Sequence, residues 1–344
     1  MSDPVLAEVT RGAVVESQHC GAACVMDGDG KVVLALGDID RPVFPRSAVK
    51  ALQALPLIEG GFADRFGLTA DEIALCVSSH SGEPVHAKTS ARMLAKAGRD
   101  VSCLECGAHW PMGDKAARAL ASSGQRPTAL HNNCSGKHAG FICLACGLDE
   151  DPKGYIQPGH AVQRAVIGAM SEMTGAAHGP EMMGVDGCSI PTFAIPLKAM
   201  ALGFARFASG AGLGQERAKA ATRIRLAVAA HPHMVAGTDR FDTLIMQALG
   251  ARIFTKTGRG GVPGEPGLSL RPPALRDQAR PRQHPCPARP AWPARVGLPA
   301  GACRRDQRQG FGLRDPGVDP RPVRSSHRPL YFPPPAGFFR AHPR

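Results

Sequence analysis

The chain has 344 residues, 43% of them hydrophobic, and a formal net charge of +12 at pH 7. This length suffices for one large domain or two smaller ones with a substantial core. The charge suggests a nucleic-acid partner, but residues 1–258 carry only +1 and residues 259–344 carry +11. The basic character therefore belongs to the C-terminal segment, and we expect no nucleic-acid partner for residues 1–258.

The N-terminus shows no targeting segment, because no basic region is followed by a long apolar run. No stretch of about 18 consecutive apolar residues is present that would suit a membrane span. Eleven cysteines in a chain of this length are better explained as reduced thiols, core residues or metal ligands than as a disulfide framework. We therefore expect a cytoplasmic protein without a membrane partner.

The first predicted elements are two β-strands joined by a tight turn. Residues 19–26 and 31–36 are apolar and lean towards β-structure, and residues 27–30, Asp-Gly-Asp-Gly, tolerate the positive φ of such a turn. A helix is then predicted to begin near Pro45 and to end or kink at Pro56.

Helical periodicity follows over most of the remaining chain. Thr69 and Glu72 form a capping box at the start of a short helix. Further helices are predicted at residues 85–97, 114–122, 135–146, 158–173, 196–207, 215–230 and 239–249. A strand is predicted at residues 252–256. Helices between strands at the two ends of the chain indicate an α/β fold of the α+β type, with a mixed sheet flanked by helices.

Ser47 and Lys50 form an S-x-x-K pair at the start of the first predicted helix. Residues three apart share a helix face, so the two side chains can meet. A lysine with a lowered pKa can take the proton of a serine hydroxyl and so activate it as a nucleophile. The spacing is also common by chance, and the simpler interpretation is a first-turn serine beside a solvated lysine.

Two further segments combine glycine with polar side chains. In residues 131–140, small and polar residues precede an apolar helix, whose first backbone amides can bind an anion or a developing oxyanion. In residues 184–191, glycines flank Asp186 and a proline closes the loop, which suits a rigidly held carboxylate. The simpler alternative for both is a tight turn capped by its own Asn or Asp.

Taken together, five segments resemble the rhizobial-type L-asparaginases, also called asparaginase II, in order and spacing. They are Arg46-Ser47-x-x-Lys50 and residues 79–83, 131–140, 185–191 and 231–241. The resemblance covers about residues 7–258. It implies hydrolysis of L-asparagine to L-aspartate and ammonia, a role in asparagine catabolism, a homodimer, and a fold similar to serine β-lactamases and glutaminases.

The resemblance also implies roles for individual residues. Ser47 is expected to be the nucleophile with Lys50 beside it, while Ser79 and Lys256 form a second serine–lysine pair. The expected substrate-binding residues are Arg46, Asn133, His138 and Asp186. Among these, the Asp186 carboxylate is expected to recognise the α-amino group of the substrate.

A zinc ion (Zn2+) is implied by the resemblance alone, with Cys134, Lys137 and Cys188 as its ligands. Thiolates are ordinary zinc ligands, but a lysine must be neutral to coordinate. A competing metal site would use the C-x-x-C pairs at residues 103–106 and 143–146. Their separation exceeds the usual ribbon spacing, and the second pair lies in an apolar run, so buried free thiols are the better interpretation.

Two alternative functions remain at this stage. A penicillin-recognising serine hydrolase shares the S-x-x-K pair, and residues 256–258 spell the K-T-G that such enzymes carry on a strand. Its S-x-N partner is missing from the expected kind of site, which places this alternative below asparaginase. The other alternative is non-enzymatic nucleic-acid binding through the basic C-terminal segment.

The C-terminal segment, residues 259–344, departs from the family. It holds 18 of the 31 prolines, 16 arginines and no lysine. Such a composition predicts disorder, and the abrupt change favours out-of-frame translation of a GC-rich gene. The family continues here into strands that complete the sheet. We therefore expect residues 1–258 to form a C-terminally incomplete catalytic domain that folds poorly and is weakly active or inactive.

Overall fold

The computed structural model of the protein describes residues 3–258. The predictions made for residues 259–344, and for strands that would follow residue 258, lie outside the described residues. Within them, α-helices predominate over short antiparallel strand pairs, which is compatible with the predicted α/β class. The finer likeness to serine β-lactamases stays a prediction.

The β-strands are short and pair antiparallel. They are, in chain order, β1 (Val5–Arg11), β2 (Val14–Cys20), β3 (Ala23–Met26), β4 (Val32–Leu36), β5 (Pro42–Val43), β6 (Met183–Val185), β7 (Pro191–Phe193) and β8 (Ile195–Pro196). Among the described residues, β1 pairs with β2, β3 with β4, β5 with β8, and β6 with β7. The predicted mixed sheet is therefore wrong for this part of the chain, because each strand pairs along one edge only.

The hairpin predicted at the N-terminal end is confirmed. β3 and β4 pair from Ala23 opposite Leu36 to Met26 opposite Val32. The Asp27 side chain closes the turn by accepting hydrogen bonds from the backbone amides of residues 29 and 31.

Strands β1, β2 and β4 are exposed along their whole length. Ten large apolar side chains of β1 to β4 face solvent, with Val14 69% and Val33 64% exposed. The free edge of each pair has no hydrogen-bonded neighbour within residues 3–258. Exposed apolar strand edges of this kind favour association with other chains.

The predicted helices are present with ends that differ by a few residues, and two short helices, Phe62–Arg65 and Pro232–Val235, were not predicted. The helices are, in chain order, α1 (Lys50–Gln53), α2 (Leu55–Glu59), α3 (Phe62–Arg65), α4 (Ala70–Cys76), α5 (Pro84–Lys96), α6 (Asp114–Ser122), α7 (Ser135–Gly147), α8 (Ala161–Thr174), α9 (Leu197–Ser209), α10 (Gln215–Ala230), α11 (Pro232–Val235) and α12 (Phe241–Leu249). Over the described part of the chain, none of them has the length and apolar character needed to cross a membrane.

Local sequence signals explain where these helices begin. The Thr69 amide donates a hydrogen bond to Glu72 Oε2 at 2.7 Å, which confirms the predicted capping box of α4. Pro56 is the second residue of α2, where a proline is tolerated because its missing N–H is not needed. The helix that begins at residue 50 is accordingly interrupted at Ala54 before α2 starts.

The core is built around α7. All of its residues except Cys146 are buried, and it packs against α2, α3, α4, α5 and α8. Gly136 allows the close approach of α4, since a Cβ there would lie 2.4 Å from both Cγ and the carbonyl oxygen of Leu75. This contact fixes the first turn of α7, which carries Lys137.

The strand predicted at residues 252–256 is wrong. A 3-10 helix, Gly250–Arg252, follows α12, and residues 253–258 continue without a strand partner among the described residues. Ile253 does have an extended backbone, with φ −138° and ψ 145°. The sequence signal for extended structure is thus present, but a β-strand also requires a neighbouring strand to pair with.

We predict that Gly136→Ala lowers the free energy of unfolding by about 1–3 kcal/mol, because the added methyl group overlaps Leu75. The matched control is Gly168→Ala on α8, where an added Cβ meets nothing within 4 Å. This control should be stabilised by up to about 1 kcal/mol, since alanine is the better helix former. Denaturant unfolding of both variants checks the prediction, and equal midpoints would contradict it.

Candidate active site

Ser79 lies in the loop after α4, and hydrogen bonds hold the backbone of this loop on two sides. The amides of Ser79 and Ser81 donate to the carbonyl groups of Val235 and Ala236 at 2.9 and 2.8 Å. The amide of His80 donates to the carbonyl group of Asn133 at 3.2 Å. The loop is therefore fixed between the start of α7 and the end of α11, with Ser79 only 8% exposed.

Two lysines converge on the hydroxyl group of Ser79. Lys50 Nζ and Lys256 Nζ each lie 3.0 Å from Ser79 Oγ. Lys50 also donates to the Ser78 carbonyl oxygen at 2.5 Å and to Cys134 Sγ at 3.2 Å. These three contacts match the three N–H donors of an ammonium group. The structure thus brings the expected Ser79–Lys256 pair together and adds Lys50 to it.

Lys256 is the group in this cluster that is best suited to act as a base. Burial and the positive charge of Lys50 lower the pKa of Lys256 to about 7, although Asp242 and Cys134 act in the opposite direction. A lysine with a pKa near neutrality is partly uncharged at pH 7 and can accept the proton of a neighbouring hydroxyl group.

Ser47 lies in a short 3-10 helix, Arg46–Val49, that leads directly into α1. The side chain is half-buried. Among the described residues, the hydrogen bonds of Lys50 run to Ser78, Ser79 and Cys134, and none joins it to Ser47. The S-x-x-K spacing therefore places both residues at one helix start, while the Lys50 amine turns into the core.

The end of the described chain packs onto the turn that carries Ser47. A Cβ at Gly258 would lie 2.7 Å from both the Ala48 nitrogen and the Pro45 carbonyl oxygen. Only glycine fits at this distance, because real Cβ atoms do not approach backbone so closely. The Lys256 segment and the Ser47 turn are therefore direct neighbours.

Arg46 and Asp186 form an ion pair at the same turn. Arg46 Nε donates to Asp186 Oδ1 at 2.7 Å, and the Gly187 amide donates to the same oxygen at 2.8 Å. Burial opposes the negative charge of Asp186, but Lys137 and Arg46 outweigh it, so the pKa of Asp186 is lowered. Arg46 has φ +47°, a left-handed conformation that is strained for a residue other than glycine. Strain of this kind concentrates at functional sites.

Asn133 links the start of α7 to the loop of Ser79. Besides accepting from the His80 amide, Asn133 donates its own amide to His109 Nε2 at 3.0 Å. Its side-chain oxygen lies 3.4 Å from Cys134 Sγ. His109 was not identified from the sequence, because its contact to Asn133 joins residues 24 apart and follows no local spacing.

His138 is buried in the first turns of α7. Its Nδ1 lies 2.5 Å from the hydroxyl group of Tyr155, which also accepts a hydrogen bond from the Glu105 amide. The other ring nitrogen, Nε2, is buried and has no partner among the described residues. Burial and the charges of Lys137 and Lys50 hold the pKa of His138 well below its usual value, so it is neutral.

Cys134, Lys137 and Cys188, the three expected zinc ligands, are brought together and buried. Lys137 Nζ lies 3.1 Å from Cys188 Sγ. A hydrogen bond from Cys188, with the nearby charges of Lys50 and Lys137, holds the pKa of Cys134 well below its usual value despite burial. The same bond and burial raise the pKa of Cys188.

The chemistry of these three residues suits a zinc ion in its donor atoms but not in the protonation of Lys137. Two thiols and one amine match the soft sulfur and nitrogen donors that zinc prefers. Burial favours a neutral Lys137, but the charges of Cys188, Cys134 and Asp186 outweigh it and raise the pKa of Lys137. A metal ion would thus have to displace a proton from the amine. Within residues 3–258, no group of three or more His, Cys, Asp or Glu is arranged to hold a metal ion.

Asp242 lies near the site and was not predicted from the sequence, and neither was its contact to Thr257. Asp242 is 2% exposed, and its carboxylate accepts hydrogen bonds from the amide and the hydroxyl group of Thr257, the residue next to Lys256. No motif points to Asp242, which directly follows residues 231–241, the last of the five segments that resemble the family. A cavity of about 380 Å³, lined by Phe204, Phe207 and Phe254 among others, also opens on Lys256.

The sequence of the chain was also compared with known protein families. The description L-asparaginase II applies to a family whose profile matches residues 7–265 of the chain, about three quarters of its length. The protein belongs to the L-asparaginase II family, and asparaginase-type amide hydrolysis is the general activity that this membership supports. No curated protein matches the chain.

We predict that the Lys256 amine titrates near pH 7, whereas ordinary lysines titrate near pH 10.4. Reductive methylation with 13C-formaldehyde followed by NMR at increasing pH measures each lysine separately. The Lys256 signal is assigned by its absence from Lys256→Arg. A midpoint near that of the exposed lysines would show that Lys50 and Lys256 do not share Ser79 in solution.

Proposed function

We propose that the site hydrolyses L-asparagine to L-aspartate and ammonia. The observation that carries this proposal is the hydroxyl group of Ser79 held at 3.0 Å from two lysine amines, one of which has its pKa lowered to about 7. Amide hydrolysis needs a base for the attacking hydroxyl group and an acid for the leaving ammonia. A single lysine near neutral pKa can serve in both roles.

The Arg46–Asp186 pair supports an α-amino acid as the substrate. An amino acid carries a carboxylate and an ammonium group on one carbon atom. The Arg46 guanidinium can bind the carboxylate of such a substrate, and the neighbouring Asp186 carboxylate can bind its ammonium group. The Arg46 side chain is partly buried and that of Asp186 is buried. On binding, the ion pair between Arg46 and Asp186 would be replaced by one ion pair from each of them to the substrate.

In this proposal Ser47 is the nucleophile. Its hydroxyl group attacks the side-chain amide carbon of asparagine and gives up its proton through Ser79 to neutral Lys256. The tetrahedral intermediate collapses, the C–N bond breaks, and Lys256 returns the proton to the leaving ammonia. Water then attacks the aspartyl ester by the same proton path, which releases L-aspartate and restores Ser47.

The division of roles between the two serines follows from their surroundings. Ser79 is almost fully buried, and its hydroxyl group lies 3.0 Å from both Lys50 and Lys256. It can accept a hydrogen bond from Lys50 and donate its own proton to neutral Lys256, which suits a proton relay. Ser47 is half-buried on a turn beside the Arg46–Asp186 pair, which leaves its hydroxyl group within reach of a bound amino acid.

Zinc is part of the proposal as a structural ion. Cys134, Lys137 and Cys188 would hold it, with Lys137 deprotonated. A bound zinc ion would neutralise the two thiolates and keep their charge from acting on the neighbouring lysines. We further propose, from family membership, a homodimer and a cytoplasmic location. The expectation that this chain turns over asparagine weakly concerns residues 259–344, which lie outside the described residues, and stays a prediction.

The penicillin-recognising alternative has no support in the site. Residues 256–258 spell K-T-G, but they do not form a β-strand among the described residues. The nucleic-acid alternative depends on residues 259–344, which the structure does not describe.

We predict that the purified chain releases ammonia from L-asparagine at the low rate expected for a C-terminally incomplete domain, and that Ser47→Ala and Lys256→Ala each reduce this rate by at least about 100-fold. The rate should rise with pH through about 7, because the base must be unprotonated and burial together with Lys50 lowers the pKa of Lys256 to that value. Coupled ammonia detection measures both effects.

The control for this prediction is Ser209→Ala on the exposed end of α9, which should leave the rate unchanged. A diazoketone analogue of asparagine, followed by peptide mass spectrometry, identifies the attacking residue. Labelling of Ser47 supports the division of roles. Labelling of Ser79 instead would exchange the roles of the two serines, and no ammonia release by a folded chain would refute the proposed function.

We also predict that the protein purified from zinc-containing medium carries about one zinc ion per chain and that Cys188→Ser reduces this content. Elemental analysis measures it without reference to activity. Cys143→Ser, a change of a buried cysteine on α7 away from Lys137, is the matched control and should keep its zinc. Equal zinc contents in both variants would contradict the proposed ligand set.

A further inference from the structure

The segment that carries Lys256 is not held by strand pairing within the described residues. Residues 253–258 form no strand ladder with any described part of the chain. Lys256 nevertheless lies at hydrogen-bond distance from Ser79. Within residues 3–258, contacts other than strand pairing therefore fix its position.

Asp242 supplies the hydrogen bonds that a sheet would otherwise provide. The Thr257 amide lies 2.9 Å from Asp242 Oδ2 and 3.1 Å from Oδ1, and the Thr257 hydroxyl group donates to Oδ2 at 2.9 Å. The Thr255 hydroxyl group adds a longer contact, 3.4 Å, to the Asp242 carbonyl oxygen. Both residues that flank Lys256 thus bond to the same aspartate.

The aspartate is itself fixed to the frame that holds Ser79. Asp242 is buried in the first turn of α12, and α12 packs on α11. The Thr243 hydroxyl group contacts the Pro232 carbonyl oxygen at 3.4 Å. Since Val235, the last residue of α11, accepts the hydrogen bond of the Ser79 amide, one pair of helices locates both members of the Ser79–Lys256 pair.

We propose that Asp242 is a positioning residue for the reaction: it holds the backbone of Thr257 so that the Lys256 amine stays against Ser79. This inference rests on the proposed function, in which Lys256 is the base. It adds that, within the described part of the chain, one buried carboxylate aligns the Lys256 segment in place of strand pairing.

Asp242 acts on Lys256 in a second way, through its charge. Burial, Lys50 and Arg240 lower the pKa of Lys256, whereas Asp242 and Cys134 raise it. Removing the charge of Asp242 while keeping a hydrogen-bond acceptor should lower the pKa of Lys256 further. Releasing the segment into solvent should raise it towards the ordinary value for lysine. The two kinds of substitution therefore predict opposite shifts.

The test uses the full chain with 13C-methylated lysines. Asp242→Asn keeps an acceptor for the Thr257 amide and should move the Lys256 midpoint to lower pH. Asp242→Ala removes the acceptor and should move it to higher pH, with kcat for ammonia release falling by about 100-fold and KM for asparagine nearly unchanged. A merely structural role would lower the melting temperature without opposite shifts.

Thr257 provides the matched pair of variants. Thr257→Ser keeps the hydroxyl group and should behave as the wild type, whereas Thr257→Val removes it and should shift the Lys256 midpoint upward. If Asp242→Ala does not fold by circular dichroism, this pair and Asp242→Asn decide the question. An unchanged Lys256 midpoint in Asp242→Asn and Thr257→Val overturns the inference. If the wild type releases no ammonia but the opposite shifts occur, the proposed function fails and the positioning role stands.

Discussion

The site depends on one hydroxyl group that is shared by two lysines. Lys50 gives its three N–H donors to Ser78, Ser79 and Cys134, so its charge is fixed in the core. Lys256 approaches the same Ser79 oxygen, and two ammonium groups at one acceptor repel each other. Burial of Lys256, together with this repulsion, lowers the pKa of Lys256 to about 7 and makes it a base that can act near neutral pH. The remaining features of the site keep these three groups in contact.

Charge is balanced in pairs around this centre. Arg46 neutralises Asp186 at the half-buried turn, and Lys137 lies against Cys188 in the core. A buried charge is costly unless a partner compensates it. In the proposed function, an amino acid takes over one partner of the first pair and a zinc ion takes over the second.

Short-range signals account for what the sequence could predict. Helix periodicity and the cap at Thr69 depend on residues a few positions apart, so the helices were located closely. The family resemblance identified Ser79, Lys256 and the thiol cluster. The predictions of a strand at residues 252–256 and of a mixed sheet were wrong for the described residues, because strand pairing depends on partners that are distant in the sequence. The direction of the Lys50 amine, and the bond of Asp242 to Thr257, also depend on contacts between distant residues that no local spacing encodes.

The first two hairpins have a consequence for the lifetime of the protein. Strands β1, β2 and β4 bury little surface, and β3 makes its main packing contact with α9. Local opening of such elements costs far less free energy than global unfolding, because few buried contacts must be broken. A protease can therefore cleave within residues 5–36 while α7, α11 and α12 still hold Ser79 and Lys256 together. Cleavage of the chain and disruption of the Ser79–Lys256 contact are then separate events, because they depend on different parts of the molecule.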